Sequence, residues 1–204
     1  MSAPGQPSRR DGRLLSIVLP MVALAVSVLA WDLVVRLNGL PPYVLPGPGL
    51  VLATLVQDWA ILWQSLVVTL ITTFEGFIAA AIVGIALALA FSQSKWLEYC
   101  LFPYAVILQV TPVIAIAPLL LIYLPQQVAV VVCAWIVAFF PILSNTTLGL
   151  KSADRNLEGL FALYGAGRWQ TLRYLRLPAA MPYILGGLRI AGGLSLIGAV
   201  VAEI

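Results

Sequence analysis

The amino-acid sequence predicts an all-α membrane protein, a polytopic helix bundle with five spans, and three observations carry that prediction. Of 204 residues, 62% are hydrophobic and 9% charged, with a mean hydropathy of +1.03. A soluble domain holds about 45–50% apolar and about 25% charged residues, so this chain cannot clothe a core with a wetted surface. Its uncharged runs recur at bilayer length, because a hydrocarbon layer of ~30 Å takes about 20 apolar residues per helix. Finally, ten of the eleven Lys and Arg residues fall on one side of those runs.

In chain order, residues 1–13 carry Arg9, Arg10 and Arg13 and form an N-terminal tail, and Leu14–Trp31 is the first span, closed by Asp32 and Arg36. A cleaved signal peptide has the same charge order, but this apolar run is long for one and no strong small-residue cleavage site follows. Leu40-Pro41-Pro42-Tyr43-Val44-Leu45-Pro46-Gly47-Pro48-Gly49 is too proline-rich for a helix and predicts an extended strap. Leu50–Trp63 resumes a helical pattern, with Trp59 and Trp63 suited to the headgroup level. The second span runs from Leu66 to about Phe91, interrupted by the single charge of Glu75. From Tyr99 to Leu150 there are 52 positions without a charge, enough for two spans, Phe102–Leu124 and Val128–Leu148, about a turn at Pro125-Gln126-Gln127. A fifth apolar segment begins after Pro182, near Ile184, and is still apolar at Ile204.

Lys and Arg in short loops collect on the cytoplasmic side. A cytoplasmic N-terminus places ten of them inside and leaves only Arg36 outside. The composition also limits the chemistry. Histidine is absent, which removes the commonest general base and metal ligand. Cys100 and Cys133 stand alone in apolar text, as packed thiols do. No catalytic residue, metal or nucleic-acid partner is expected, and an enzyme is a poor reading of this chain.

Thr72, Gly76, Ala80, Gly84, Ala88 and Ser92 form a four-residue ladder of small side chains in the second span, and Gly187, Ala191, Ser195 and Ala199 do the same in the fifth. Small residues at this spacing let helix backbones approach closely in lipid. By helical rise, Glu75, Pro112 and Ser195 all fall near the midplane. Pro112 and Pro118 free backbone carbonyls, which in a membrane persist where protein or a cavity satisfies them, and Gln109 and Thr111 stand beside the break. With Asn145, these residues are the candidates for a solute pathway or gate. Glu75, with no Lys or Arg at its depth, has a hydrogen bond to Gln109 or Thr111 as its available satisfaction.

The loop of residues 149–183 is longer than packed helices require. Ser152 or Asp154 can cap a helix whose apolar Leu157, Leu160, Phe161 and Tyr164 recur at i, i+3, i+4 and i+7. Such a ridge lies on the bilayer surface or fills a groove in a soluble partner. Gly165-Ala166-Gly167 breaks the helix, the basic segment Arg168–Arg176 follows, and Leu177-Pro178 leads back to the membrane.

Gly165-Ala166-Gly167-Arg168-Trp169-Gln170, followed by Leu175-Arg176-Leu177-Pro178-Ala179-Ala180-Met181-Pro182 and Gly187-Leu188-Arg189-Ile190-Ala191, resembles the cytoplasmic loop of permease subunits of binding-protein-dependent ABC importers. The signature there is E-A-A, three residues, Gly, nine residues and I-x-L-P. Gly165 is followed by nine residues and then Leu175-Arg176-Leu177-Pro178. The E-A-A positions hold Gly159-Leu160-Phe161, with Glu158 one place early. Leu40-Pro41-Pro42, Gly76-Phe77, Gln109-Val110-Thr111-Pro112, Ala117-Pro118-Leu119-Leu120, Phe139-Phe140-Pro141-Ile142 and Asn145-Thr146 extend the similarity to the nitrate/sulfonate/taurine branch.

The resemblance implies a permease-type bundle in a bacterial inner or plasma membrane, with a sixth span beyond the five present. It implies that Leu157, Glu158, Gly159, Leu160, Phe161, Tyr164, Gly165, Leu175, Leu177 and Pro178 couple the chain to cytoplasmic ATPase subunits. A second permease copy, an external solute-binding protein and membrane lipid are the other implied partners. No cofactor belongs to this chain, since ATP and Mg sit on the ATPase; no G-x-x-x-x-G-K-[ST] phosphate cradle occurs here. The implied solute is a sulfonate, taurine or nitrate, or alternatively a vitamin precursor such as a pyrimidine or riboflavin. A secondary transporter would be expected to show repeated halves, which are not found, and a purely structural subunit has no need of the amphipathic loop helix.

Overall fold

The computed structural model describes residues 9–203, with side chains from Ser16 onward, and every regular element among them is helical. They divide into two compact units between Gln64 and Ser65. The expected tail lies outside the described residues as far as Ser8. From Arg9 the backbone is already helical, five residues before the expected start of the first span.

In the first unit, α1 (Arg9–Leu37) is 29 residues long and carries an Asp32–Arg36 ion pair of 2.8 Å one turn apart near its end. The proline-rich segment is not the expected extended strap. The Pro41 carbonyl accepts from the Val44 and Leu45 N–H groups, at 2.9 and 3.2 Å, because Pro42 holds the fixed φ that the second position of a β-turn needs. Gly39, at φ +59°, supplies the reversal before it at no steric cost. α2 (Pro48–Gln57) starts with proline in its first turn, where no N–H is needed. The helical pattern expected over Leu50–Trp63 breaks at Asp58, and α3 (Trp59–Gln93) begins there with Trp59 and Trp63 stacked at 6.0 Å. At 35 residues α3 is about 50 Å long, so it begins seven residues before the expected second span and outruns the bilayer core.

The second unit is built on the rest of α3, α6 (Gln126–Leu150) and α9 (Leu177–Glu203). Lipid gives apolar helices no solvent-driven reason to associate, so they gain most from close backbone packing. A Cβ on Gly76 would stand 2.7 Å from Ala134 Cβ and 2.9 Å from the Val131 carbonyl, and one on Gly84 3.2 Å from Ile142. From the other side, Gly187 would meet Asn145 Cβ at 2.9 Å and Gly198 the Cys133 carbonyl at 2.8 Å. All six expected packing residues, Gly76, Ala80, Gly84, Gly187, Ala191 and Ala199, are buried. Rising numbers on α3 meet rising numbers on α6, so these helices run parallel, and α9 runs antiparallel to α6.

Two parallel helices need a connection that recrosses the layer, and α4 (Lys95–Val110) with α5 (Val113–Tyr123) provides it. The pair bends by 97° at Thr111-Pro112, in place of the single span expected over Phe102–Leu124. Proline disfavours the α-region for the residue before it, and Thr111 is accordingly extended at φ −74°, ψ 120°. α5 then folds across α6 and α9, burying Ala117 among Val130, Cys133, Ala134, Ala199 and Ala202. At the far end of α4, Glu98 pairs with Lys151 just past the end of α6, while Pro125 joins α5 to the start of α6. The bent pair therefore traverses the length of α6 and is a broken span, so four long helices and this pair make five crossings.

Between α6 and α9 lie α7 (Arg155–Leu163), α8 (Arg168–Thr171) and a single π-turn at Leu172–Arg176 that runs into α9. The return helix thus starts well before the expected Ile184.

Candidate functional site

The α6–α9 loop is held by local chemistry at each end. Ser152 Oγ donates to the Gly149 carbonyl at 2.7 Å, and it is Asp154 that caps α7, accepting from the Asn156 N–H at 2.8 Å. Gly165 ends α7 at φ +70°, its N–H donating to Ala162 and that of Ala166 to Phe161. This is a Schellman closure, and its left-handed residue favours glycine. No residue of α7 is buried. Leu157 and Leu160 are each 45% exposed and Tyr164 84%, so the apolar ridge stands free, with Phe161 half-buried at its edge. Glu158 leaves that ridge and pairs with Arg176 Nε at 2.7 Å. Leu172 and Leu175 are buried in the bundle and anchor the π-turn, Leu177 is half-buried, and Gly159 and Pro178 are exposed.

Two polar clefts adjoin the loop. One of about 480 Å³ is lined by Lys95, Glu98, Thr147, Lys151, Glu158 and Arg176 among others, and one of about 460 Å³ by Ser92, Lys95, Arg168 and Arg176 among others. No local spacing signals the Glu158–Arg176 and Glu98–Lys151 pairs, because their members lie 18 and 53 positions apart.

The candidate pathway residues do not form one cluster. Gln109, Thr111 and Pro112 share a mostly apolar cleft of about 320 Å³ with Ile136, Val137, Phe140, Pro141 and Leu194. Thr111 Oγ1 donates to the Ile107 carbonyl at 2.6 Å. Ser195 is fully buried and donates to the Thr73 carbonyl of α3 at 3.0 Å. Asn145 donates to the Pro141 carbonyl of its own helix, beside Gly187. Glu75 is exposed, and the hydrogen bond expected from Gln109 or Thr111 is not made. The reason is register: Gly76 faces α6, which turns its neighbour out of the packed face. An unanticipated contact closes the other end of the bundle, where Thr69 Oγ1 donates to Glu203 Oε2 at 2.7 Å.

Four helices long and apolar enough to cross a membrane, five spans with the bent pair, and close glycine packing define a polytopic membrane protein with an exposed amphipathic helix outside the spans. Residues 80–204 match the model of the binding-protein-dependent transport system inner membrane component. The chain belongs to that family and is a permease subunit of an ABC importer. It is 36% identical over 185 residues to the riboflavin transport system permease protein of Chloroflexus aurantiacus, covering 89% of this chain and 69% of that one. To the formylaminopyrimidine transport permease protein of Halalkalibacterium halodurans it is 33% identical over 90% of this chain and 74% of the relative. To the taurine transport system permease protein of Escherichia coli it is 30% identical, over 92% and 71%.

Proposed function

We propose that this permease lies with its N-terminus in the cytoplasm, pairs with a second copy of itself, and receives its solute from an external binding protein. Residues 149–183 form the ATPase-coupling loop, in which Leu157, Leu160 and Tyr164 seat α7 in a groove of the ATPase, the partner that holds ATP and Mg. The observation that carries this reading is the unpartnered apolar ridge of α7, on the side of the bundle richest in Lys and Arg. Lipid surrounds the outer faces, and the Gln109, Thr111 and Pro112 cleft with Glu75, Asn145 and Ser195 belongs to the pathway or gate.

The solute is a sulfonate, taurine or nitrate, or alternatively a vitamin precursor such as a pyrimidine or riboflavin. Both classes occur among the relatives: those named for riboflavin and formylaminopyrimidine transport are 36% and 33% identical, those for bicarbonate and taurine 32% and 30%.

The experiment is affinity purification of the tagged permease from its native membrane. Wild type should bring down an ABC ATPase. Leu160→Asp and Tyr164→Asp, which place an unpaired charge in an apolar groove at a cost of several kcal/mol, should insert normally and lose it. Undiminished ATPase recovery with both variants would leave α7 as a float on the lipid surface.

A further inference from the structure

Arg176 joins three elements. Its Nε donates to Glu158 Oε1 of α7 at 2.7 Å, its Nη1 lies 3.4 Å from the Ser92 carbonyl at the end of α3, and its own backbone leads directly into α9. Its position is fixed by the π-turn, where the Leu177 N–H reaches back to the Leu172 carbonyl. Pro178 lacks the N–H that would hold the Tyr174 carbonyl in an α-helix, which helps explain the widened turn at this place. Leu172 and Leu175 keep that turn in the core, so the guanidinium is carried on a rigid base. By contrast α7 buries no residue of its own. A push on α7 can therefore reach the crossing helices through its two chain ends, through half-buried Phe161 or through this charged contact.

We propose that Arg176 is a positioning residue that transmits movement of α7 to α3 and α9, acting as a latch through Glu158 and the Ser92 carbonyl. Both Arg176 and Glu158 are about one-third exposed, so the pair contributes little to stability. Its value is geometric: the planar guanidinium offers separate donor nitrogens to two elements at once in a fixed fork. The latch rests on the reading of α7 as the ATPase-docking helix.

The test uses the permease purified with its ATPase and reconstituted in liposomes. Cys100 is replaced by Ser, and Leu194, beside the Pro112 cleft, is replaced by Cys as a reporter. Maleimide labelling of that cysteine is compared with and without ATP·Mg and vanadate. Linked sites typically couple by about 5–150-fold, so ATP should change the labelling rate about tenfold in the parent. Arg176→Gln should still bring down the ATPase yet reduce the change to less than about twofold. Arg176→Lys, which keeps a cationic donor for both Glu158 and the Ser92 carbonyl, should restore it to within about threefold of the parent. An unchanged ATP response in Arg176→Gln, or an Arg176→Lys chain no better than Arg176→Gln, overturns the latch. An Arg176→Gln chain that fails to accumulate and is rescued by Arg176→Lys makes the contact a folding clasp and also overturns it. Absence of an ATPase from the parent preparation overturns the docking reading itself, and the latch with it.

Discussion

Gly76 has no room for a methyl group: its Cβ would stand 2.7 Å from Ala134 Cβ and 2.9 Å from a main-chain carbonyl of α6. Both neighbours are part of a packed helix, so Gly76→Ala should push α3 off α6 and destabilise the bundle by about 1–3 kcal/mol, the cost of overpacking. Gly186→Ala, with nothing within 4 Å of its Cβ, should be neutral. The thermal aggregation midpoints of the two variants in detergent measure the contrast, and equal midpoints would refute the close contact. Glu75 tests a different property. It is exposed on the chain, and an acid such as Asp at bilayer centre costs roughly 2.5–3.5 kcal/mol on insertion scales, so a protein surface or wet cavity is needed on that face in the assembled transporter. Glu75→Gln should retain assembly and much of the uptake, and Glu75→Leu should lose more, since it removes the polar contact. Uptake at matched expression decides; wild-type transport by the Leu variant would remove this position from the pathway. The sequence placed Glu75 at mid-helix, but its side of the helix depends on Gly76 facing α6, which no local pattern reveals.

Among the elements, α7 was the most legible, because its cap, its i, i+3, i+4, i+7 ridge and its terminal glycine are all local signals. A helix of nine residues is shorter than the ~12–15 at which isolated helices become marginally stable. The Asp154 cap therefore matters. Asp154→Ala should cost about 1 kcal/mol and speed trypsin cleavage at Arg155 in the purified permease, whereas Asp154→Asn keeps an acceptor and should cut at the wild-type rate. Indistinguishable digestion of all three would mean that packing, not the cap, holds α7. The break at Thr111-Pro112 was only half legible. Proline marks where a helix is disturbed, yet the 97° turn is set by the seat Ala117 finds among residues of α6 and α9, all distant in sequence. For the same reason the run Trp59–Gln64 was not expected to be continuous with the second span: nothing breaks the helix there, and only charge and hydropathy had set its expected start.

For the whole molecule, the crossing order brings the start of α4 and the α6–α9 loop to one end of the bundle, and the charge distribution then predicts which side of the membrane that end faces. Parallel packing of α3 on α6 requires α4 and α5 together to recross the membrane. The Glu98–Lys151 pair puts the start of α4 and the end of α6 at one level. That same end carries Lys95, Lys151, Arg155, Arg168, Arg173 and Arg176, which the positive-inside rule assigns to the cytoplasm. If α4 and α5 merely dipped in and returned, Lys95 and the α6–α9 loop would face opposite sides and the charge bias would dissolve. Cys100 reports on this, because it is partly exposed in the second turn of α4, whereas Cys133, the one other cysteine, is buried. An impermeant maleimide added to intact cells should therefore leave the protein unlabelled, and the same reagent should modify Cys100 once the membrane is permeabilised. Adding ATPase to stripped inside-out vesicles should then slow that reaction if the docked partner covers the basic end of the bundle. Rapid labelling in intact cells would reverse the orientation, placing α7 outside and beyond reach of any ATPase.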